Sequence, residues 1–327
     1  MTSSNQRPSR YGRRFAWLAV FIVLLFGGYS AGWFYLAGEI ENRARAEIAT
    51  FTGQGRSAEC VNLSVRGFPF RIGLWCDGVR IVDPTEGLEV SADRLRSAAQ
   101  VYDPMQVIVE LDSPANLAFP GIDEISADWE AFRASARLSF DFPERASIET
   151  KGLKASIDAG AASFGVDAGQ AHMRRNGEDL DLALSFTGAS AGLEILRGGT
   201  LPPLDGALDL TLEDGVRFVR HGARSLRGLA GTIRTLSIAS GPDASMAVSG
   251  SFIVASDGLI DADLMLTVRD PKAISGILED LFPGARDEIA QSLAGLQAFG
   301  QQAEVPLKIE AGRISLGFLP LGEIPPL

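Results

Sequence analysis

The chain has 327 residues, of which 46% are apolar, 22% charged and 8% aromatic, with a net charge of −11 and a pI near 4.8. This apolar content excludes intrinsic disorder for most of the chain, and the acidic balance argues against the basic stripe that a nucleic-acid partner needs. Two Cys and two His leave little for a zinc cage or an iron–sulfur cluster, so no metal or cofactor is expected.

From Phe15 to Ala37 run 23 residues without a charge. At about 1.5 Å per residue such a helix crosses a hydrocarbon core of about 30 Å. Trp17 lies near one end of the run and Trp33 and Tyr35 near the other, where amphipathic rings favour the headgroup region. Arg7, Arg10, Arg13 and Arg14 precede it and Glu39 and Glu41 follow, so the positive-inside rule leaves the N-terminus cytoplasmic and exports the rest. The alternative is a cleaved signal peptide, but those have shorter apolar cores ending in a small-residue site. A retained anchor is expected. Without the four arginines the exported part is more acidic still, which predicts a body repelled by anionic headgroups and held off the membrane on its stem.

That stem is GEIENRARAEIATFT, where Ile40, Ala44, Ile48 and Phe51 share one helical face until Gly53 and Gly55 stop the helix. The face suits either a partner helix or the protein's own body. Cys60 and Cys76 then flank VNLSVRGFPFRIGLW. A hairpin turning at Arg66-Gly67-Phe68-Pro69 sets the two cysteines opposite each other, where a disulfide can close. A free reactive Cys is the alternative, with no basic cluster beside it. The stretches expected are a basic cytoplasmic tail over 1–14, a transmembrane helix over 15–37, a helical stem over 38–56 and a β-rich domain over 57–327.

Past the cysteines the pattern has period two. Leu180, Leu182, Leu184 and Phe186 alternate with Asp181, Ala183 and Ser185; Leu208, Leu210 and Leu212 with Asp209 and Thr211; Ile260, Ala262, Leu264, Leu266 and Val268 with Asp261, Asp263, Met265 and Thr267. Strands with one apolar and one wet face read this way. Asp77-Gly78, Asn176-Gly177, Asp205-Gly206, Asp214-Gly215 and Asp257-Gly258 are read as hairpin turns between or beside them. The fold class expected is mainly β with a few helices: an N-terminal transmembrane helix, then an elongated, curved antiparallel β-meander with a C-terminal helical segment. That segment starts where Asp270 caps and Pro271 opens a stripe of Ile274, Ile277, Leu278, Leu281 and Phe282. A second helix is predicted with Ile289, Leu293, Leu296 and Phe299 on one side, and a final hairpin turns at Ala311-Gly312. Ser126 to Phe132, with Trp129, is ambiguous between helix and strand. Two lobes meeting near Gly198-Gly199 are an option.

Chemical motifs are sparse. Gly188-Ala-Ser190-Ala-Gly192 matches a nucleophile elbow, but the elbow needs a parallel strand and a following helix, and only His221 lies downstream. His172 and His221 show no metal-ligand spacing and neither lies beside a Cys, so they read as surface or interface residues rather than ligands. The acids Asp209, Glu213, Asp261 and Asp263 read as solvated strand faces rather than acid–base pairs.

The basic start, single anchor, helical stem, the Gly67-Phe68-Pro69-Phe70-Arg71 string between the cysteines and the late Gly312-Arg313-Ile314-Ser315-Leu316-Gly317 strand together resemble a Gram-negative envelope family, domain of unknown function 2125. The resemblance brings no catalytic residues. More distantly, an anchor followed by an amphipathic meander is similar in architecture to the AsmA-type bridge proteins, which handle lipids between the two membranes. The expectation is a non-enzymatic single-pass protein of the inner membrane whose periplasmic domain binds lipid or another envelope component. Leu182, Leu184, Leu210, Leu264 and Leu266 are the candidate apolar groove, a pattern that would equally fill a dry core. The alternatives are a scaffold or assembly factor for envelope complexes and a hydrolase built on Ser190.

Overall fold

The computed structural model describes residues 10–52, 55–157, 162–193, 202–220, 225–281, 301–317 and 319–327, together with 284, 286 and 290. The first element is one unbroken helix, α1 (Arg10–Thr52), about 65 Å long at 1.5 Å per residue. It carries the apolar run straight into the charged stem, where Glu39 pairs with Arg43 and Glu41 with Arg45 one turn on. It is long and apolar enough to cross a membrane. After Thr52 the chain reverses, and β1 (Ser57–Val61) and β2 (Ser64–Arg66) run back along the helix. Three hydrogen bonds mark this antiparallel descent: Ala58 N to Thr52 Oγ1 at 3.3 Å, Arg45 Nη2 to the Leu63 carbonyl at 2.9 Å, and Trp33 Nε1 to the Arg71 carbonyl at 3.0 Å.

The stem face therefore packs on the protein's own body, and it starts earlier than the stem. Trp33 and Ala37, inside the uncharged run, are buried with Ile72, and Ile40, Val65 and Val101 pack around them. Trp33, expected at a membrane interface, is covered because Phe68 reaches it edge-on, with ring centroids 5.5 Å apart. The body is thus seated against the anchor, not held away from it.

Everything else among the described residues is one open, curved antiparallel sheet with two short helices. Its first half consists of long strands each broken once. The second comprises β3 (Arg71–Cys76) and β4 (Gly78–Asp83), the third β5 (Leu88–Ala92) and β6 (Leu95–Gln100). The fourth comprises β7 (Asp103–Leu111) and β8 (Ala115–Phe119), the fifth β9 (Ile122–Asp128) and β10 (Ala131–Arg137). One set of halves pairs in the order β2, β3, β6, β7, β10 and the other in the order β1, β4, β5, β8, β9. Both sets end on β11 (Arg145–Ile157), which pairs with β10 along its first half and with β9 along its second. The breaks form a corner across the sheet. Trp129 sits in it, donating Nε1–H to the Leu111 carbonyl at 2.8 Å, which resolves 126–132 as two strands around a corner.

From β11 the chain meanders through β12 (Ala162–Asn176), β13 (Asp179–Leu193), β14 (Leu204–Leu212), β15 (Ala230–Ser240), β16 (Ala244–Val254), β17 (Ile260–Arg269), β18 (Gln302–Glu310), β19 (Arg313–Leu316) and β20 (Leu319–Glu323), each paired with the next. Register shifts between β13 and β14, β14 and β15, and β15 and β16 add bends of the kind bulges produce. Helix α2 (Gly215–Arg220) follows β14, and α3 (Pro271–Leu281) follows β17 with Asp270 Oδ1 accepting the Ala273 N–H at 3.1 Å, as the capping pattern predicts. The final hairpin turns at Ala311-Gly312 as expected. The second predicted helix, His221 and Gly198-Gly199 fall on residues outside those described, apart from isolated positions.

Four local expectations change, the first being that Asp214-Gly215 opens α2 instead of turning a hairpin. Cys60 and Cys76 are joined, with Cα atoms 5.2 Å apart, but the ladder pairs Cys60 with Val79. The hairpin is interrupted at Asn62 and Asp77, whose side chains hydrogen-bond at 3.0 Å, and the disulfide clips this corner rather than the open end of a regular hairpin. Asp77-Gly78 is therefore a strand break, not a turn. Asp205-Gly206 lies within β14, where the Phe186 ring covers Gly206 so closely that an added Cβ would sit 2.3 Å from it.

Candidate functional site

Antiparallel register puts directly opposed residues on one face, and in this sheet the register lines up apolar side chains from end to end. One row runs Ile72, Ala99, Val107, Ala136, Ala146, Met173, Leu182 and Leu210. It continues through Ile233, Gly250, Leu264, Leu307 and Leu316. The neighbouring row passes Val109, Ala134, Ile148, Ala171, Leu184, Leu208, Leu236, Val248, Leu266 and Val305.

The opposite face holds charge ladders. Arg96, Glu110, Arg133 and Glu149 are successive partners, and Arg133 lies 2.8 Å from Glu110. Farther along, Asp181 accepts from Arg174 at 2.7 Å and from the Thr211 hydroxyl at 2.7 Å, while Arg234 joins Thr211 to Asp209. The hydrogen bond from Arg174, then that from Thr211, holds the Asp181 carboxyl below its usual range. Asp209 is lowered by its bond from Arg234. Asp181, buried beneath its partners, and Asp209 are ion-paired, and both carboxyls are held below their usual range rather than raised toward that of a general acid.

All five leucines expected in the groove lie on the apolar face, though not equally open. Leu182 and Leu210 are direct partners, and Leu184 lies one step along the strand in the adjacent row. Leu264 and Leu266 lie on β17, beyond β15 and β16. Leu266 is buried under α3 with Val268, Ile274 and Ala303, so at that end the face is a closed core. At the other end α1 covers Ile72. Helix α2 folds across the Leu180 and Leu212 end of β13 and β14, burying Val216. Between these covers the face is open: Ile148, Leu184 and Leu236, all in one row, are 44%, 43% and 41% exposed. Sequence alternation located the face, but the helices that close its ends could not be placed on it from sequence.

Ser190 lies in β13 opposite Gly165, inside an antiparallel ladder rather than on a strand-to-helix elbow. His172 is on β12 with Nδ1 2.9 Å from the Ser147 hydroxyl, seven residues or about 23 Å of strand from Gly165. The two do not form a nucleophile–base pair. Among the described residues no three His, Cys, Asp or Glu side chains gather as a metal site would require.

No curated protein and no solved structure matches this chain. A family model does, over residues 33–325, and its first residue is Trp33, where α1 first becomes buried against the sheet. The chain belongs to the family described as uncharacterized protein conserved in bacteria, DUF2125.

Proposed function

We propose that this is a single-pass protein of the bacterial inner membrane, N-terminus cytoplasmic, whose periplasmic sheet holds lipid or a comparably apolar envelope component without catalysing a reaction on it. The observation that carries the reading is the unbroken apolar face, closed at its ends by helices and open at Ile148, Leu184 and Leu236. An exposed apolar row of this extent is costly in water, at about 25 cal/mol per Å², and a bound acyl chain would remove that cost. The arginines ahead of α1 support the orientation, and the Cys60–Cys76 bond fits an oxidising compartment. Ser190 within a β ladder, away from His172, supports a binding role over a hydrolytic one.

The test places a photoreactive benzoylphenylalanine at Leu184 or Leu236 in the full chain, irradiates intact envelopes and weighs the product. Ser185 and Ser237, on the opposite face, are the controls. A lipid-mass adduct at the two leucines but not at the serines is expected. No adduct, or a protein adduct at the leucines, overturns lipid holding, and the protein adduct would favour the scaffold reading.

A further inference from the structure

The turn between β2 and β3 touches α1 inside the segment that the membrane must surround. The Tyr29 hydroxyl donates to the Pro69 carbonyl, Trp33 Nε1 donates to the Arg71 carbonyl at 3.0 Å, and Phe34 stacks on Phe68 with centroids 5.4 Å apart. Tyr29 lies eight residues before Ala37, the last residue of the uncharged run, so this contact is about 12 Å down the helix from that end. The 20 residues from Phe15 to Phe34 already span about 30 Å, the thickness of a hydrocarbon core. A turn reaching Tyr29 therefore lies below the outer surface of the bilayer.

The exposed side chains agree with that depth. Phe70 is 67% exposed, and the Val101 N–H donates to its carbonyl at 3.0 Å, bringing the β6–β7 turn alongside with Tyr102 75% exposed. Farther along the edge, on the β10–β11 turn, Phe140 is 98% exposed. Arg66 and Arg71 flank the first turn, both exposed, and among the described residues neither pairs with a carboxylate. Arg66 stacks on Trp75 at 4.7 Å and donates to the Ser64 hydroxyl, and exposed aromatic rings flanked by arginines without a carboxylate partner match what an acyl-chain and phosphate surface binds.

We propose that the β2–β3 and β6–β7 turns are a second membrane attachment, with Phe68, Phe70 and Tyr102 set into the outer leaflet beside α1 and Arg66 and Arg71 on its headgroups. This attachment is independent of whether the apolar face carries lipid. It fixes the sheet upright on the membrane, since β1 and β2 run alongside α1.

The test uses the full chain in vesicles of phosphatidylethanolamine and phosphatidylglycerol, spin-labelled at Phe70→Cys or Tyr102→Cys, with Thr85→Cys on the opposite-end turn between β4 and β5 as control. Collisions with oxygen should exceed those with a water-soluble nickel chelate at Phe70 and Tyr102, and the reverse should hold at Thr85. Labels at Phe70 and Tyr102 as open to the chelate as Thr85, or shielded from both reagents by a protein partner, overturn the proposal. The unsubstituted chain gives a second measurement with lipids carrying a diazirine in the acyl chain. Adducts on residues 66–71 and 100–103 as well as on α1 are expected, and adducts on α1 without them overturn it. Adducts near Leu184 or Leu236 would report separately on the sheet face.

Discussion

Trp33→Ala tests how the sheet is held against its helix. The Trp33 side chain is 6% exposed, meets Phe68 edge-on and is buried with Ile72, and its indole N–H satisfies the Arg71 carbonyl at 3.0 Å. Truncating a buried Trp costs about 3–5 kcal/mol, of which the stranded carbonyl contributes about 1 kcal/mol. For a body of this size that corresponds to a fall of about 10 °C in melting temperature. Thermal unfolding of the full chain in lipid nanodiscs, followed by the circular dichroism of the sheet, measures it. Trp33→Phe keeps a ring against Phe68 and removes the donor, so it should lose about 1 kcal/mol. Trp17→Ala makes the same truncation in the same helix at a residue 67% exposed, and should stay within about 0.5 kcal/mol of the parent. If Trp33→Ala and Trp17→Ala melt together, the seating of the sheet on α1 is wrong.

Replacing Cys60 and Cys76 together by Ser should cost about 3 kcal/mol on the chain-entropy account, and reductant should lower the parent's melting temperature while leaving that variant unmoved. Gly250 has φ +142°, and a Cβ there would sit 2.1 Å from the Asp263 carbonyl oxygen, so Gly250→Ala should lose about 3 kcal/mol or more in a denaturant titration. Gly276, on α3 with nothing within 4 Å of where a Cβ would sit, should accept Ala with a gain of up to about 1 kcal/mol. Because the Asp181 pKa is lowered in the folded state, its contribution is present above the unfolded value of about 4 and is lost as pH falls through the folded value. Melting temperature should therefore drop on acidification below about pH 4, and Asp181→Asn should melt lower at neutral pH with a shallower acid limb.

The features legible in the sequence are those written locally. The uncharged run, the period-two strands and the Asp270-Pro271 start of α3 each depend on residues a few positions apart, and each is found where the pattern puts it. Features that depend on a distant partner were not legible. Asp205-Gly206 has turn chemistry, yet it stays in β14 because Phe186, twenty residues earlier, needs the space over Gly206. The corner through Asn62, Asp77 and Trp129 exists only once five strands are aligned. The five candidate leucines share one face because alternation fixes a face. That Leu266 is covered while Leu184 is exposed depends on where α3 docks, which no local pattern records.

Net charge alone argues for a body that avoids an anionic surface, yet the contacts at Tyr29, Trp33 and Ala37 seat it on the uncharged part of α1 itself. The two statements are compatible because net charge acts over a Debye length of about 8–10 Å, whereas the edge proposed to dock presents exposed aromatic rings and two arginines that have no carboxylate partner among the described residues. The acids of the charged face are largely paired, Glu110 with Arg133 and Asp181 with Arg174, which neutralises them locally. This arrangement also bears on how the proposed ligand would arrive. Ile72, packed on Trp33 within the uncharged run, begins the row that continues through Ala99, Val107, Ala136, Ala146 and Met173 to Leu182. That is six strand-to-strand steps, about 29 Å, without a charged side chain. Three of those side chains are Ala, which leaves space above the sheet for an acyl chain. On the proposed reading, lipid leaving the outer leaflet beside α1 would join the row past the covered Ile72, at Ala99, and reach the open row at Leu184 across apolar side chains.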